Sequence, residues 1–306
     1  MSHYVPLVSH PEYSFPFASK HRFPMEKFAL LSGLLSQRGI LHRSNLFRPG
    51  RARVELMSLA HCPHYIDAFT HNTLDTKALR RLGLPWSEGL IKRSWIAPNG
   101  TLLTAQLALR HGIACHLAGG THHAHRDFGS GFCAFNDLAV AALGLLNQGR
   151  VQRVLIFDCD VHQGDGTATI LAETPEAFTC SIHCDKNFPA NKATSDLDVE
   201  VTKGCGDDEY LEIVERTLNH CLDQVKPDIV LYDAGVDIYQ GDPLGLLNIS
   251  LAGLRQRDRL VLETCTRRTI PVATVIGGGY DDDRPALVAR HSIVVEEAQR
   301  CFAQLG

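Results

Sequence analysis

The residues most able to do chemistry in this chain cluster in Asp158-Cys159-Asp160-Val161-His162-Gln163-Gly164-Asp165-Gly166, directly after the apolar run Val154–Phe157. Side chains two apart on an extended segment point the same way, so Asp160 and His162 can converge on one point. A carboxylate and an imidazole together make a borderline donor set suited to Zn²⁺ or Fe²⁺. This segment alone is equally compatible with a plainer reading, in which Asp158 and Asp160 cap the next helix and His162 is solvated. Gly119-Gly120-Thr121-His122-His123-Ala124 sets two histidines after two glycines, in a loop that must bend and turn its side chains toward a cavity. Asp158 and Asp165 are candidates to hydrogen-bond the rear ring nitrogens of that pair, which fixes the tautomer and raises basicity.

A third cluster, Asp233-Ala234-Gly235-Val236-Asp237, follows the run Ile229–Tyr232 and is itself followed by Gly241-Asp242-Pro243. An acid at the end of that strand completes a three-ligand site with Asp160 and His162. Three protein ligands leave a position for water, the mark of a catalytic metal. The fourth cluster is Gly277-Gly278-Gly279-Tyr280. A phosphate cradle is a poor reading of it, because Asp281, Asp282 and Asp283 follow and repel an anion. The glycines instead let the backbone turn close to the site and present the Tyr280 hydroxyl.

Three of the clusters follow short, mostly apolar runs, Val154–Phe157, Ile229–Tyr232 and Val272–Ile276, and a fourth such run, Phe178–Ile182, precedes His183. Such runs are strands buried on both faces, hence a parallel sheet between helix layers. Helical patterns are predicted at 101–118 with Thr101 as cap, at 207–225 behind Asp207-Asp208, and at 250–268 from Ser250. A last helix starts at Pro285 with Asp283 near the cap. The expectation is one α/β domain over residues 1–306, a three-layer α/β/α fold with a mostly parallel sheet. Its ligand belongs beyond the carboxyl ends of the strands, where the polar residues that follow these runs lie.

Composition excludes several classes. Of 306 residues, 44% are hydrophobic and 21% charged, which rules out disorder and coiled coil. The longest apolar run, Leu138–Leu146, is nine residues, too short for a bilayer span. No secretory signal is visible, and the net charge of −4 provides no general field for nucleic acid. The ten cysteines lack a CxxC pair, and Cys133, Cys159, Cys180 and Cys265 read as small core residues. Cys180, His183 and Cys184 lie close together but lack a fourth ligand for a second zinc site. A reducing compartment, the cytoplasm, is expected.

GGTHHA, SGFCAFND, DCDVHQGDG, AGVDIYQGDPLG and GGGY, in that order, resemble the histone deacetylase family of metal-dependent amidohydrolases, with its arginase/deacetylase-like fold. Any one motif is weak; five in order, most securely over residues 101–285, are specific. The resemblance implies that Asp160, His162 and Asp237 are zinc ligands, and that His122 and His123 are the catalytic pair with Asp158 and Asp165 as partners. It makes Tyr280 the residue that hydrogen-bonds the substrate carbonyl. It places Gly131, Phe132, Phe188 and Leu244 along an acyl-lysine tunnel. It further implies a monovalent-cation site, expected for K⁺, at Asp158, Asp160, His162 and Ser181, and an exit channel at His21 and Arg22. Gln163 in place of a second histidine, the APNGTLLTAQLAL stretch and Cys205–Tyr210 look most like class IV histone deacetylases and their bacterial relatives. The family's acidic rim segment is replaced by SWIAPNG, read as a loop.

The implied function is hydrolysis of N-acyl-lysine amides carrying acetyl or longer acyl groups, with Zn²⁺ or Fe²⁺ as cofactor. Leu244, where polyamine-selective members carry an acid, argues for acyl-lysine protein or peptide substrates over small acylated amines such as acetylpolyamines. A non-catalytic acyl-lysine binding protein and a two-metal ureohydrolase are the alternatives of other classes. The intact histidine pair and Tyr280 argue against the first, since binding needs no proton shuttle. The absence of a second acid two residues from Asp237 argues against the other.

Overall fold

The computed structural model describes residues 4–18 and 21–304. Eight strands form one sheet: β1 Leu7–Val8, β2 Leu46–Phe47, β3 Ile113–His116, β4 Val154–Asp158, β5 Ala177–Cys184, β6 Leu197–Val201, β7 Ile229–Asp233 and β8 Val272–Val275. Their spatial order is β2-β1-β3-β8-β7-β4-β5-β6, and every pairing is parallel. The four apolar runs are strands, and β4, β7 and β8 are buried at every position. Two apolar cores flank the sheet, one containing Leu155, Phe157, Val230 and Tyr232, the other Val154, Ile156, Ile229 and Leu231. Alternate side chains of β4 and β7 thus enter opposite cores, which is why those strands are apolar up to their terminal Asp158 and Asp233. Ten α-helices accompany the sheet among the described residues.

Helix starts follow local chemistry where a cap is present. Ser250 accepts a hydrogen bond from the Gly253 amide at the head of the Leu251–Arg267 helix, and Asp283 accepts one from the Ala286 amide ahead of Arg284–Phe302. The Asp207–Val225 helix begins with three acids, in accord with its dipole.

The expected helix over 101–118 is corrected by the structure. The helix runs Glu88–His111, from a Ser87 cap through Pro98 and Gly100, and residues 113–116 are strand β3. SWIAPNG is therefore helical. Proline inside a helix costs about 3 kcal/mol, but here Leu90, Trp95, Leu102, Ala105 and Ala108 bury one apolar face against the sheet core. Gly100 is required by close approach, since a Cβ there would lie 2.3 Å from the Tyr13 hydroxyl and 2.6 Å from His116 Nε2. Gly112, at φ 88°, ends the helix.

Candidate metal centre and active site

The parallel register brings the polar clusters together. Asp158 at the end of β4 pairs with Asp233 at the end of β7 and with Ser181 on β5. The loops after β3, β4, β7 and β8 therefore converge beyond the same edge. The buried guanidinium of Arg257 ties two of these loops by donating to the carbonyls of Cys159, Ala234 and Gly235.

Asp160, His162 and Asp237 each offer a ligand atom, all within 4.8 Å of one another, and all three residues are buried. His162 Nδ1 lies 3.0 Å from Asp160 Oδ1 and 3.1 Å from Asp237 Oδ2. The outer oxygens are held by backbone: Gly278 N donates to Asp160 Oδ2 at 2.7 Å, and Val161 N to Asp237 Oδ1 at 3.0 Å. Burial and the neighbouring Asp160 charge push the Asp237 carboxyl up. Burial also opposes ionisation of Asp160, but His122 and His162 hold it well down. Two buried carboxylates around one imidazole leave negative charge uncompensated, and two hard oxygens with one borderline nitrogen suit a divalent cation. The donor set fits a metal.

The two histidines occupy different environments. His122 Nδ1–H donates to Asp158 Oδ2 at 2.7 Å, and His123 Nδ1–H to Asp165 Oδ1 at 2.6 Å. Burial disfavours the His122 cation, but Asp158, Asp160 and Asp233 outweigh it and raise its pKa well above the ordinary value. His123 goes the other way: burial and the His122 charge lower it to about 4, despite Asp165. Nδ1 of His123 is thus fixed as donor, and its Nε2 is a free base. Environments that drive two adjacent groups apart in this way divide acid and base roles between them. Burial resists ionisation of Asp165, but hydrogen bonds from His123 and His125 hold it down. His125 Nε2 reaches Asp165 Oδ2 at 3.1 Å, a shared carboxylate that the sequence did not suggest.

Tyr280 lies across from the pair, its ring 6.3 Å from that of His162 and 5.8 Å from that of Phe132. Burial, Asp160 and Asp237 push its hydroxyl well up, so it remains a donor. Asp242 positions it, accepting from the Tyr280 and Leu244 amides at 2.8 and 2.9 Å. Burial and Asp237 raise the Asp242 carboxyl to about 7. Asp242 stood in a recognised segment, but nothing local pointed to this role.

An outer cavity of about 550 Å³ reaches His123, His162 and Tyr280 and is walled by Gly131, Phe132, Phe188 and Leu244. Phe188 meets the His123 ring edge-on at 4.8 Å. Gly131 admits no side chain, because a Cβ would lie 2.6 Å from His123 Cδ2. Behind Asp160 and Tyr280 lies a cavity of only about 20 Å³, lined by Phe23, Lys27, Phe28, Arg93 and Gly277 among others. The structure corrects the placement of His21 and Arg22, which do not line this inner space. Arg22 is exposed on the outer cavity, and His21 is held beside Phe132 by the Gly83 carbonyl. The inner cations are Lys27, which donates to the Gly277 carbonyl at 3.1 Å, and Arg93, which stacks 3.8 Å over Phe28. Neither was legible as a site residue, since both sit in helices far from the motifs.

Asp158 and Ser181 are register neighbours, with the Asp160 amide donating to Asp158 Oδ1 and Ser181 Oγ 3.0 Å from His183 Nδ1. A second group of possible ligands, His122, Asp158 and Asp233, is also buried. Cys180, His183 and Cys184 belong to neither group, and all ten cysteines are free. Among the described residues no helix is long and apolar enough to cross a membrane.

A family model described as the histone deacetylase domain matches residues 21–295. An uncharacterized protein of Picosynechococcus sp. is 50% identical over 97% of this chain and 99% of its own length. Histone deacetylase 2 of Arabidopsis thaliana is 29% identical, over 88% of this chain and 72% of that protein. The acetoin utilization protein AcuC of Staphylococcus xylosus is 29% identical, over 86% and 74%. The crystal structure of an HDAC homolog from Aquifex aeolicus superposes with a TM-score of 0.80 at 22% identity, covering 97% of this chain and 84% of that one. That likeness carries the fold.

Proposed function

The chain belongs to the histone deacetylase family, and from that premise we propose that it hydrolyses the amide of N-acetyl-lysine in peptides or proteins. One observation carries the reading: the three-donor cluster, two His–Asp pairs of opposite charge tendency and the Tyr280 ring meet at the inner end of one cavity. Asp160, His162 and Asp237 would hold the divalent ion, taken as Zn²⁺, with Fe²⁺ suited to the same donors. The ion supplies Lewis-acid polarisation of the amide carbonyl and lowers the pKa of a water. His123 accepts the attacking water's proton at Nε2 and returns it to the leaving amine nitrogen. His122, held cationic by Asp158, supplies positive charge where the oxyanion develops. Tyr280 donates its hydroxyl hydrogen to that oxyanion, typically worth about 3–4 kcal/mol of barrier. Gly131, Phe132, Phe188 and Leu244 exclude water around the lysine methylenes. A monovalent cation beside Asp158 and Ser181 is part of the same reading.

The inner cavity supports a short acyl group. About 20 Å³ accommodates a water or a methyl group, not a chain. Acetyl is therefore the favoured group, where the sequence alone left room for longer ones. Polyamines are disfavoured, because no carboxylate lines the outer cavity to receive a second ammonium. The test is turnover of acetyl-lysine peptides, longer-acyl-lysine peptides and acetylpolyamines, side by side on protein of verified metal content. Acetyl-lysine peptides are expected to have the highest kcat/KM, and Leu244→Glu to shift the ratio toward polyamines. A wild-type preference for an acetylpolyamine would replace the reading with a small-molecule deacetylase.

A further inference from the structure

The outer cavity is charged in a way the family resemblance does not imply. Arg22, Arg80, Arg81 and Lys186 line its mouth, and no Asp or Glu is among its lining residues, although the whole chain carries a net charge of −4. The four cations come from three separate segments. Arg80 and Arg81 end the Thr76–Leu82 helix, Arg22 lies in the turn before the Lys27–Gln37 helix, and Lys186 follows β5. A helix C-terminus favours cations in its last turn, which accounts for Arg80 and Arg81 but not for Arg22 or Lys186. All four are exposed. Among the described residues, Arg22, Arg80 and Arg81 form no ion pair, and Arg81 is oriented by stacking 3.7 Å over the Phe128 ring. Lys186 alone is paired, with Asp185 at 3.3 Å. Asp242, next to the lining residue Pro243, is buried and committed to the Tyr280 and Leu244 amides.

We infer that this mouth selects acyl-lysine peptides that are acidic close to the scissile amide, with Arg22, Arg80 and Arg81 as the residues that read the charge. The inference rests on the amidohydrolase reading above, which places the acyl-lysine side chain between Phe132, Phe188 and Leu244 and its main chain against these cations. Guanidinium groups match carboxylates in a planar, two-hydrogen-bond geometry, and three of the four cations are arginines. A lysine-rich carrier meets like charge at the same place. Potentials of this kind act on encounter and on binding, and they weaken as salt screens them.

Three short peptides of equal length, each with a central Nε-acetyl-lysine, test it: one flanked by glutamates, one by lysines and one by alanines and glycines. Affinity is read by fluorescence anisotropy and hydrolysis by kcat/KM, at low and high salt. The glutamate-flanked peptide is expected to exceed the lysine-flanked one by about tenfold or more in both readouts at low salt, with the gap narrowing at high salt. The combined Arg22→Glu, Arg80→Glu, Arg81→Glu variant is expected to invert that preference toward the lysine-flanked peptide, leaving the neutral peptide within about twofold of wild type. Equal affinity for the acidic and basic peptides, or preference for the basic one, would overturn the inference. Binding selectivity without hydrolysis of any peptide would refute the proposed chemistry and leave the charge selection standing.

Discussion

Replacing Gly278 with alanine probes the proposed metal centre without substituting any of its three proposed ligands. A Cβ on residue 278 would stand 2.0 Å from Asp237 Oδ2 and 2.7 Å from Asp160 Oδ2, and Cβ contacts under 3.0 Å essentially do not occur. The backbone cannot retreat freely, since its N–H donates to Asp160 Oδ2 and its carbonyl accepts from Val236 N. Nor can the carboxylates yield, being buried and pinned by the Val161 and His162 amides. Asp237 must therefore move by about 1 Å, well beyond the roughly 0.2 Å tolerance of a metal–ligand distance. Loss of an outer partner of a ligand typically costs 10–100-fold in metal affinity, so displacing the ligand itself should cost more than about 100-fold, or roughly 3 kcal/mol. Zn²⁺ affinity of the stripped protein, measured in competition with a chromophoric chelator, is the assay, with thermal unfolding of the metal-free variant as control for the fold. Wild-type affinity in Gly278→Ala would refute the assignment of Asp160 and Asp237 as the ion's ligands.

Other outcomes follow from the same geometry. Tyr280→Phe should lower kcat by about 100-fold or more with little change in substrate binding, and an unchanged kcat would remove the hydroxyl from the mechanism. Lys27 is buried, and desolvation lowers its pKa to about 8 from 10.5 even with Asp237 nearby. The unfolded state therefore binds more protons between those values, and stability should rise with pH across that window, by about 3 kcal/mol in all. In urea unfolding of metal-free protein, the wild type should gain that much on Lys27→Met between about pH 7 and pH 10.5. A gap independent of pH would contradict it. Arg257→Met strips Asp258 of its guanidinium and leaves the Cys159, Ala234 and Gly235 carbonyls without that donor. A loss of about 3–5 kcal/mol is expected from denaturant unfolding, and a loss below about 1 kcal/mol would show the tie to be dispensable.

The sequence by itself determined what depends on near neighbours. Asp160 and His162 are two residues apart and meet through a local bend closed by the His162 amide on Asp160 Oδ1, and Ser250 and Asp283 cap helices within one turn of themselves. Uniform apolarity in Val154–Phe157 and Ile229–Tyr232 announces strands with a core on each face, which the two flanking clusters bear out. Only the tertiary structure decided what distant segments do to one another. The helix running through Pro98 exists because its buried face outweighs a local penalty, and Gly100 is glycine because Tyr13 and His116 crowd it. Lys27 reaches the Gly277 carbonyl across 250 positions of sequence, so a lysine in an ordinary helical pattern becomes a buried cation behind the active site. Arg22, Arg80, Arg81 and Lys186 look like scattered surface charge until the fold sets them around one mouth. The physical reason is the same in each case: side-chain type and short-range backbone geometry are written locally, whereas burial and electrostatic environment are set by which elements the parallel sheet places side by side.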